Sequence, residues 1–138
     1  MKLIIGSDHA GRKIKEEVKE ILLKADLDIE DVSPSNSEND DYPDYAKKVA
    51  EEVRKGGIGF LSCGTGIGVS IAANKHKGAR AALVHSKEDA ELARKHNNAN
   101  VLVLGGNKKY DDLENIVKTF LTTKFEGGRH SRRVGKLE

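Results

Sequence analysis

The stretch "IGFLSCGTGIGVSIAANK" (58–75) decides the fold class. "IGFLSC" (58–63) reads as a strand and runs straight into a glycine-rich loop. "GVSIAANK" (68–75) then reads as a short, mostly apolar helix. Upstream, "KLIIGS" (2–7) is a strand. Ile14, Val18, Ile21, Leu22 and Ala25 recur at helical spacing over 10–25. "LDIEDV" (27–32) alternates as a second strand, and "SPSNSENDD" (33–41) is a polar, turn-rich segment expected to be a mobile loop. "YPDYAKKVAEEVRK" (42–55) is a helix ended by Gly56 and Gly57. Downstream, "ARAALV" (79–84) and "NVLVLGG" (100–106) are strands. They flank a helix over 86–97, with Ser86 as its N-cap. "YDDLENIVKTFLTTKF" (110–125) carries Leu113, Ile116, Val117, Phe120 and Leu121 at helical spacing, and a Gly- and Arg-rich tail follows.

The order βαβαβαβαβα predicts an α/β fold with a five-stranded parallel sheet covered on both faces. No repeat or linker marks a second domain, so residues 1–138 are expected to form one. Ligands of such sheets bind outside the carboxyl ends of the strands, at a switch point. If the order is flavodoxin-like, that point lies between the first and third strands. The loops there are "GSDHAG" (6–11) and "SCGTGIG" (62–68).

Composition narrows the partners. Charged residues make up 33%, aromatics 4%, and there is no Trp. That disfavours a stacking platform for single-stranded nucleic acid. A net charge of +2 is too small to imply nucleic-acid binding. One cysteine among 138 residues forms no internal disulfide, so the reducing cytosol is the expected compartment. No apolar run approaches the length of a membrane span. The apolar part of "MKLIIGSDHAG" is too short for a signal peptide.

The glycine loop fails three phosphate-binding patterns. Val69 stands where a dinucleotide motif needs its third glycine and where a phosphatase-type Cys-x5-Arg needs its arginine. No Gly-Lys-Ser/Thr follows. What remains is a nest of backbone N–H groups opening a helix, suited to an oxyanion, or a tight turn around a buried thiol. Cys63 ends the strand just ahead of that helix, where thiolates are stabilised. A thiolate there can take a proton from carbon while the N–H groups hold the resulting oxyanion, as in enolisation of a sugar carbonyl. Thr65 is either a donor beside it or a turn residue. Asp8 is an N-cap, or a partner for sugar hydroxyls. His9 is an exposed histidine, a phosphate ligand or an acid/base. His96 and Asn97 suit a helix C-terminus, and their helix runs away from the carboxyl edge. If they act, they act on a neighbouring subunit, and the same holds for Arg129 and Arg133 in "GGRHSRR" (127–133).

Five segments in order, "GSDHAG", "DYPDYA" (41–46), "CGTGIGVSIAANK" (63–75), "ARKHNNANVLVLGG" (93–106) and "EGGRH" with a following Arg (126–133), resemble a sugar-phosphate isomerase family. It includes ribose-5-phosphate isomerase B and the galactose-6-phosphate isomerase subunits. The resemblance covers nearly the whole chain. It implies a Rossmann-like three-layer αβα sandwich, no metal or cofactor, and a homodimer or dimer of dimers with shared sites. It also implies interconversion of D-ribose 5-phosphate and D-ribulose 5-phosphate. By position, Cys63 is then the base that works through a cis-enediolate. The N–H groups across Gly64, Gly66, Ile67 and Gly68 hold the enediolate oxygen, with Thr65 beside them. His96 from the partner subunit opens the ring, assisted by Asp8. Asn97 and Tyr42 contact substrate; His9, Arg129 and Arg133 bind phosphate, the arginines through the tail (124–138) of a partner.

Two positions depart from the family pattern. Asn107 in "GGN" replaces the arginine of "GxR", with Lys108 and Lys109 next to it, and the 33–41 loop lacks the usual "GT". A six-carbon sugar phosphate, such as allose or galactose 6-phosphate, is therefore an alternative substrate. From another class, a non-catalytic phosphosugar-binding module is the alternative, although binding alone needs no thiol. The cysteine places the chain apart from relatives with a glutamate base after the loop, near Ser70.

Overall fold

The computed structural model describes residues 2–138. Five strands, β1 (Lys2–Ser7), β2 (Asp28–Asp31), β3 (Ile58–Cys63), β4 (Ala81–Leu83) and β5 (Val101–Gly105), form one parallel sheet in the order β2-β1-β3-β5-β4. The helices are α1 (Arg12–Lys24), α2 (Tyr42–Val53), α3 (Ile67–Asn74), α4 (Lys87–Asn97), α5 (Leu113–Thr122) and α6 (Arg129–Gly135). A 3-10 turn, His9–Gly11, precedes α1.

Side-chain alternation along the strands sorts the core into two layers. Leu3, Ile5, Phe60, Leu102 and Leu104 meet α1, α4 and α5 through Ile14, Val18, Ala90, Ala93, Val117 and Phe120. Ile4, Leu61, Cys63, Val101 and Val103 meet α2 and α3 through Val49, Val53, Val69 and Ala73. The expected αβα sandwich is therefore present. Ser86 caps α4 as expected, accepting from the Asp89 N–H.

The strand order differs from the flavodoxin-like 2-1-3-4-5. Here β5 is inserted between β3 and β4. The sheet therefore still switches direction between β1 and β3. From β3 the chain leaves to the α2/α3 face, whereas from its neighbours β1 and β5 it leaves to the other face. A crevice thus opens at the carboxyl end of β3. The tail, which has no apolar periodicity, contains α6, packed against α4. Among the described residues no helix is long and apolar enough to cross a membrane.

Candidate active site

Three loops meet at the end of β3. The Asp8 N–H donates to the Ser62 carbonyl at 3.3 Å, which sets the loop after β1 beside Cys63. The Gly106 N–H donates to the Cys63 carbonyl and the Asn107 N–H to the Gly64 carbonyl, both at 2.8 Å. Insertion of β5 makes this second clamp possible. Cys63 is buried, and its thiol is free.

The glycine loop is shaped for close approach. Gly66 caps α3 at φ +80°, a left-handed conformation that glycine adopts without strain. Gly68 lies under the ring of Tyr42, where a Cβ would stand 2.6 Å from Cζ. Tyr42 thus borders the start of α3. The first-turn amides of a helix have no intrahelical acceptor. Here the Ile67 N–H donates to Thr65 Oγ1 at 3.1 Å, and the Ser70 N–H to the Gly66 carbonyl at 3.1 Å. The amide expected to face substrate at Ile67 is therefore engaged within the chain, while those of Gly68 and Val69 open toward the positive end of α3.

Asp8 is buried, and one carboxylate oxygen caps the 3-10 turn by accepting the Gly11 N–H at 3.0 Å. Its other oxygen accepts no hydrogen bond among the described residues. His9 is exposed, and its Nδ1 lies 2.6 Å from Asp40 Oδ1. The hydrogen bond to Asp40 raises the His9 pKa above its usual value, against a smaller effect of burial. Burial pushes the Asp40 carboxyl up, but hydrogen bonds from His9, Asn36 and Tyr45 outweigh it and hold the group well below the usual carboxylate range.

The remaining predicted residues lie at the other edge of the sheet. Cys63 pairs with Gly105, whereas Gly59 pairs with Val101 at the entry of β5. That separates the two edges by roughly 13 Å at about 3.3 Å per residue. His96 and Asn97 end α4 beyond that entry. The His96 ring stacks on His130 with centroids 4.3 Å apart and planes at 14°. Burial, then the charge of Arg129, pushes the His130 imidazole below its usual pKa. Arg129 and Arg133 are exposed, one turn apart on α6. One chain therefore holds Cys63, Thr65, Asp8, His9 and Tyr42 at one edge, and His96, Asn97, Arg129 and Arg133 at the other.

Among the described residues, two clusters place ligand-type atoms within 4.8 Å of one another: His96, Glu126 and His130, and Asp8, His9 and Asp40. Neither is a formed cage. In-plane lone pairs of stacked rings run side by side rather than converge, and Asp40 already accepts several hydrogen bonds.

The sequence reading missed the support beneath the site. The 33–41 segment is not a loose loop. The Ser33 hydroxyl accepts the Ser7 N–H at 2.9 Å, the Asn36 amide donates to the Ser7 carbonyl at 2.9 Å, and Arg12 donates to Asn36 at 2.8 Å. No periodicity marks these residues. The only available signal was their density of short polar side chains, which favour local backbone hydrogen bonds.

Comparison with known proteins bears on the fold and the family. The family model for ribose/galactose isomerases matches residues 3–137. The probable ribose-5-phosphate isomerase B of Mycoplasma genitalium is 48% identical over 141 residues, covering 98% of this chain and 92% of the relative. The structure of Clostridium thermocellum ribose-5-phosphate isomerase B superposes with a TM-score of 0.94 at 46% identity, covering 99% of this chain and 95% of the other. That of the Mycoplasma genitalium enzyme with bound ribulose-5-phosphate gives 0.91 at 46% identity, covering 99% and 93%. A match that runs nearly end to end, in sequence and in fold, leaves one conclusion: the chain belongs to the ribose/galactose isomerase family.

Proposed function

We propose that this chain is an aldose–ketose isomerase that interconverts D-ribose 5-phosphate and D-ribulose 5-phosphate, acting as one domain per subunit in a homodimer or dimer of dimers. One observation carries the reading: a free thiol ends β3 just ahead of an α-helix, with the Asp8 loop hydrogen-bonded to the neighbouring Ser62. The bound product in the Mycoplasma genitalium relative supports the substrate class.

In this reading His96 of a second copy opens the furanose ring, with Asp8 on the ring oxygen and hydroxyls. Cys63, as thiolate, then removes the proton from carbon two of the open aldose. The electron pair moves to the carbonyl oxygen and gives a cis-enediolate, held by the amides opening α3. Thr65 helps move the proton between the two oxygens. Return of the proton from Cys63 to carbon one gives the ketose, so no atom is gained or lost. Asn97 and Tyr42 contact the sugar. His9, with Arg129 and Arg133 of the second copy, binds the phosphate. The separation of the two residue sets within one chain supports a shared site.

A coupled assay on ribose 5-phosphate, allose 6-phosphate and galactose 6-phosphate tests the proposal. Highest kcat/KM on the pentose is expected. Turnover of a hexose phosphate alone overturns the substrate, and turnover of none overturns the activity.

A further inference from the structure

Asp40 is neither in the glycine loop nor in the 3-10 turn, yet it grips His9 twice. Its Oδ1 lies 2.6 Å from the ring Nδ1 and accepts the His9 backbone N–H at 2.9 Å. Its Oδ2 accepts from Asn36 Nδ2 at 2.7 Å and from the Tyr45 hydroxyl at 2.9 Å. The Asp40 side chain is only 9% exposed, whereas that of His9 is 46% exposed. The carboxylate is therefore fixed from α2 by Tyr45 and from its own loop by Asn36. Asn36 is in turn held by Arg12 and by the Ser7 carbonyl. A rigid acceptor thus meets one nitrogen of an otherwise free ring and leaves Nε2 as the ring's outward nitrogen.

We propose that Asp40 is a positioning residue: by accepting Nδ1–H it orients the His9 ring with Nε2 toward the substrate's phosphate, where the imidazolium donates its Nε2–H. This rests on the sugar-phosphate reading above and names what aims the histidine. A carboxylate on one nitrogen fixes the tautomer and orientation of the other. It also favours the imidazolium, whose hydrogen bond to a phosphate is charge-assisted. Asp8 and Glu38 add negative charge around the ring, while Arg12, Lys13, Glu16, Glu17 and Glu20 line the same surface. Tyr45 faces Asp40 from α2. The phosphate itself titrates near pH 6, so its own ionisation must be separated from that of His9.

The test uses the full-length protein, with Asp40→Ala and Asp40→Asn. Thermal melts check folding. Ring-nitrogen NMR follows His9 against pH and against added inorganic phosphate, and steady-state kinetics follow ribose 5-phosphate. Asp40→Ala is expected to lower the His9 titration midpoint, weaken inorganic phosphate about tenfold and raise KM similarly, with kcat changed less than threefold. Asp40→Asn, which keeps an acceptor but loses the charge, should fall between. In a His9→Ala background, Asp40→Ala should add nothing further. An unchanged His9 midpoint and phosphate affinity in both variants, or an equal loss with and without His9, overturns the assignment. If the wild type isomerises no sugar phosphate while Asp40 still governs phosphate binding at His9, the isomerase reading fails and the positioning role stands.

Discussion

Lys15 has no exposed side-chain surface, yet its ammonium holds Asp31 through both carboxylate oxygens, at 3.2 and 2.9 Å. It also donates to the Ser33 carbonyl at 2.7 Å, so the pair ties α1 to the loop beneath Asp8. Burial pushes the Asp31 carboxyl up, but hydrogen bonds from Lys15, Ser33 and Lys19 outweigh it and hold the group below its usual value. A carboxyl with a lowered folded-state pKa stabilises the fold above its unfolded value, near 4. It loses that contribution as pH falls through the lower, folded value. Denaturation of wild type and Asp31→Asn at pH 7, 5 and 3 should show the wild-type advantage at pH 7 and 5 shrinking at pH 3. Lys15→Met should cost about 3 kcal/mol at pH 7, because Asp31 is left desolvated with Lys19 as its only cationic partner among the described residues.

Cys63→Ala should lower kcat about a thousandfold, the range a general base contributes. KM should stay within a few-fold, since the thiol is assigned to proton transfer and not to grip. The coupled assay reads both. Wild-type turnover in this variant removes Cys63 from the mechanism.

Mixing two inactive chains tests the shared site. Cys63→Ala and His96→Asn each disable one edge of the sheet. A hybrid dimer would contain one site built from the intact edge of each chain. Recovery of part of the wild-type rate after subunit exchange is expected. No recovery despite exchange shown by mass spectrometry argues for sites made within one chain. His96→Asn alone should slow turnover of the ring form more than of the open chain.

Substitution in the glycine loop should separate stability from binding. Gly66→Ala forces a side chain into a left-handed conformation, with its Cβ 2.6 Å from Leu83 Cδ1 and 3.2 Å from the Gly105 nitrogen. A loss of about 1–3 kcal/mol is expected in urea denaturation. Gly68→Ala meets the half-exposed ring of Tyr42, which can swing aside. It should fold near wild-type stability and raise KM as the ring leaves its place.

The strands and α3 were legible mainly as short apolar runs bounded by polar or glycine residues, and α1 and α5 by their helical period. Val69 and Ala73 face the sheet at helical spacing, and Leu3, Ile4 and Ile5 alternate between two cores. The nearness of the Cys63 and Asp8 loops was legible for another reason: parallel topology carries the ends of β1 and β3 to one edge, whereas Tyr42 came only from the family resemblance. The place of β5 was not legible, because the apolar runs of β4 and β5 suit either position. The role of Asp40 was also hidden. Glu38, Asp40 and Asp41 stand almost together in a polar segment, and only the Tyr45 and Asn36 contacts decide which carboxylate turns inward. Nothing in the sequence sets Lys15 apart from the other lysines of α1, although its ammonium is fully enclosed.

The inserted β5 has a consequence for the order of events during synthesis. The Cys63 carbonyl and the Gly64 carbonyl are both clamped by residues more than forty positions downstream, Gly106 and Asn107. Such distant pairings form late, after the loop-closure entropy has been met. A ribosome that has released only the first hundred residues would thus expose a chain with its thiol and glycines in hand but no wall to hold them. The Cys63 and Gly64 carbonyls gain these two partners only once β5 and the residues after it are in place.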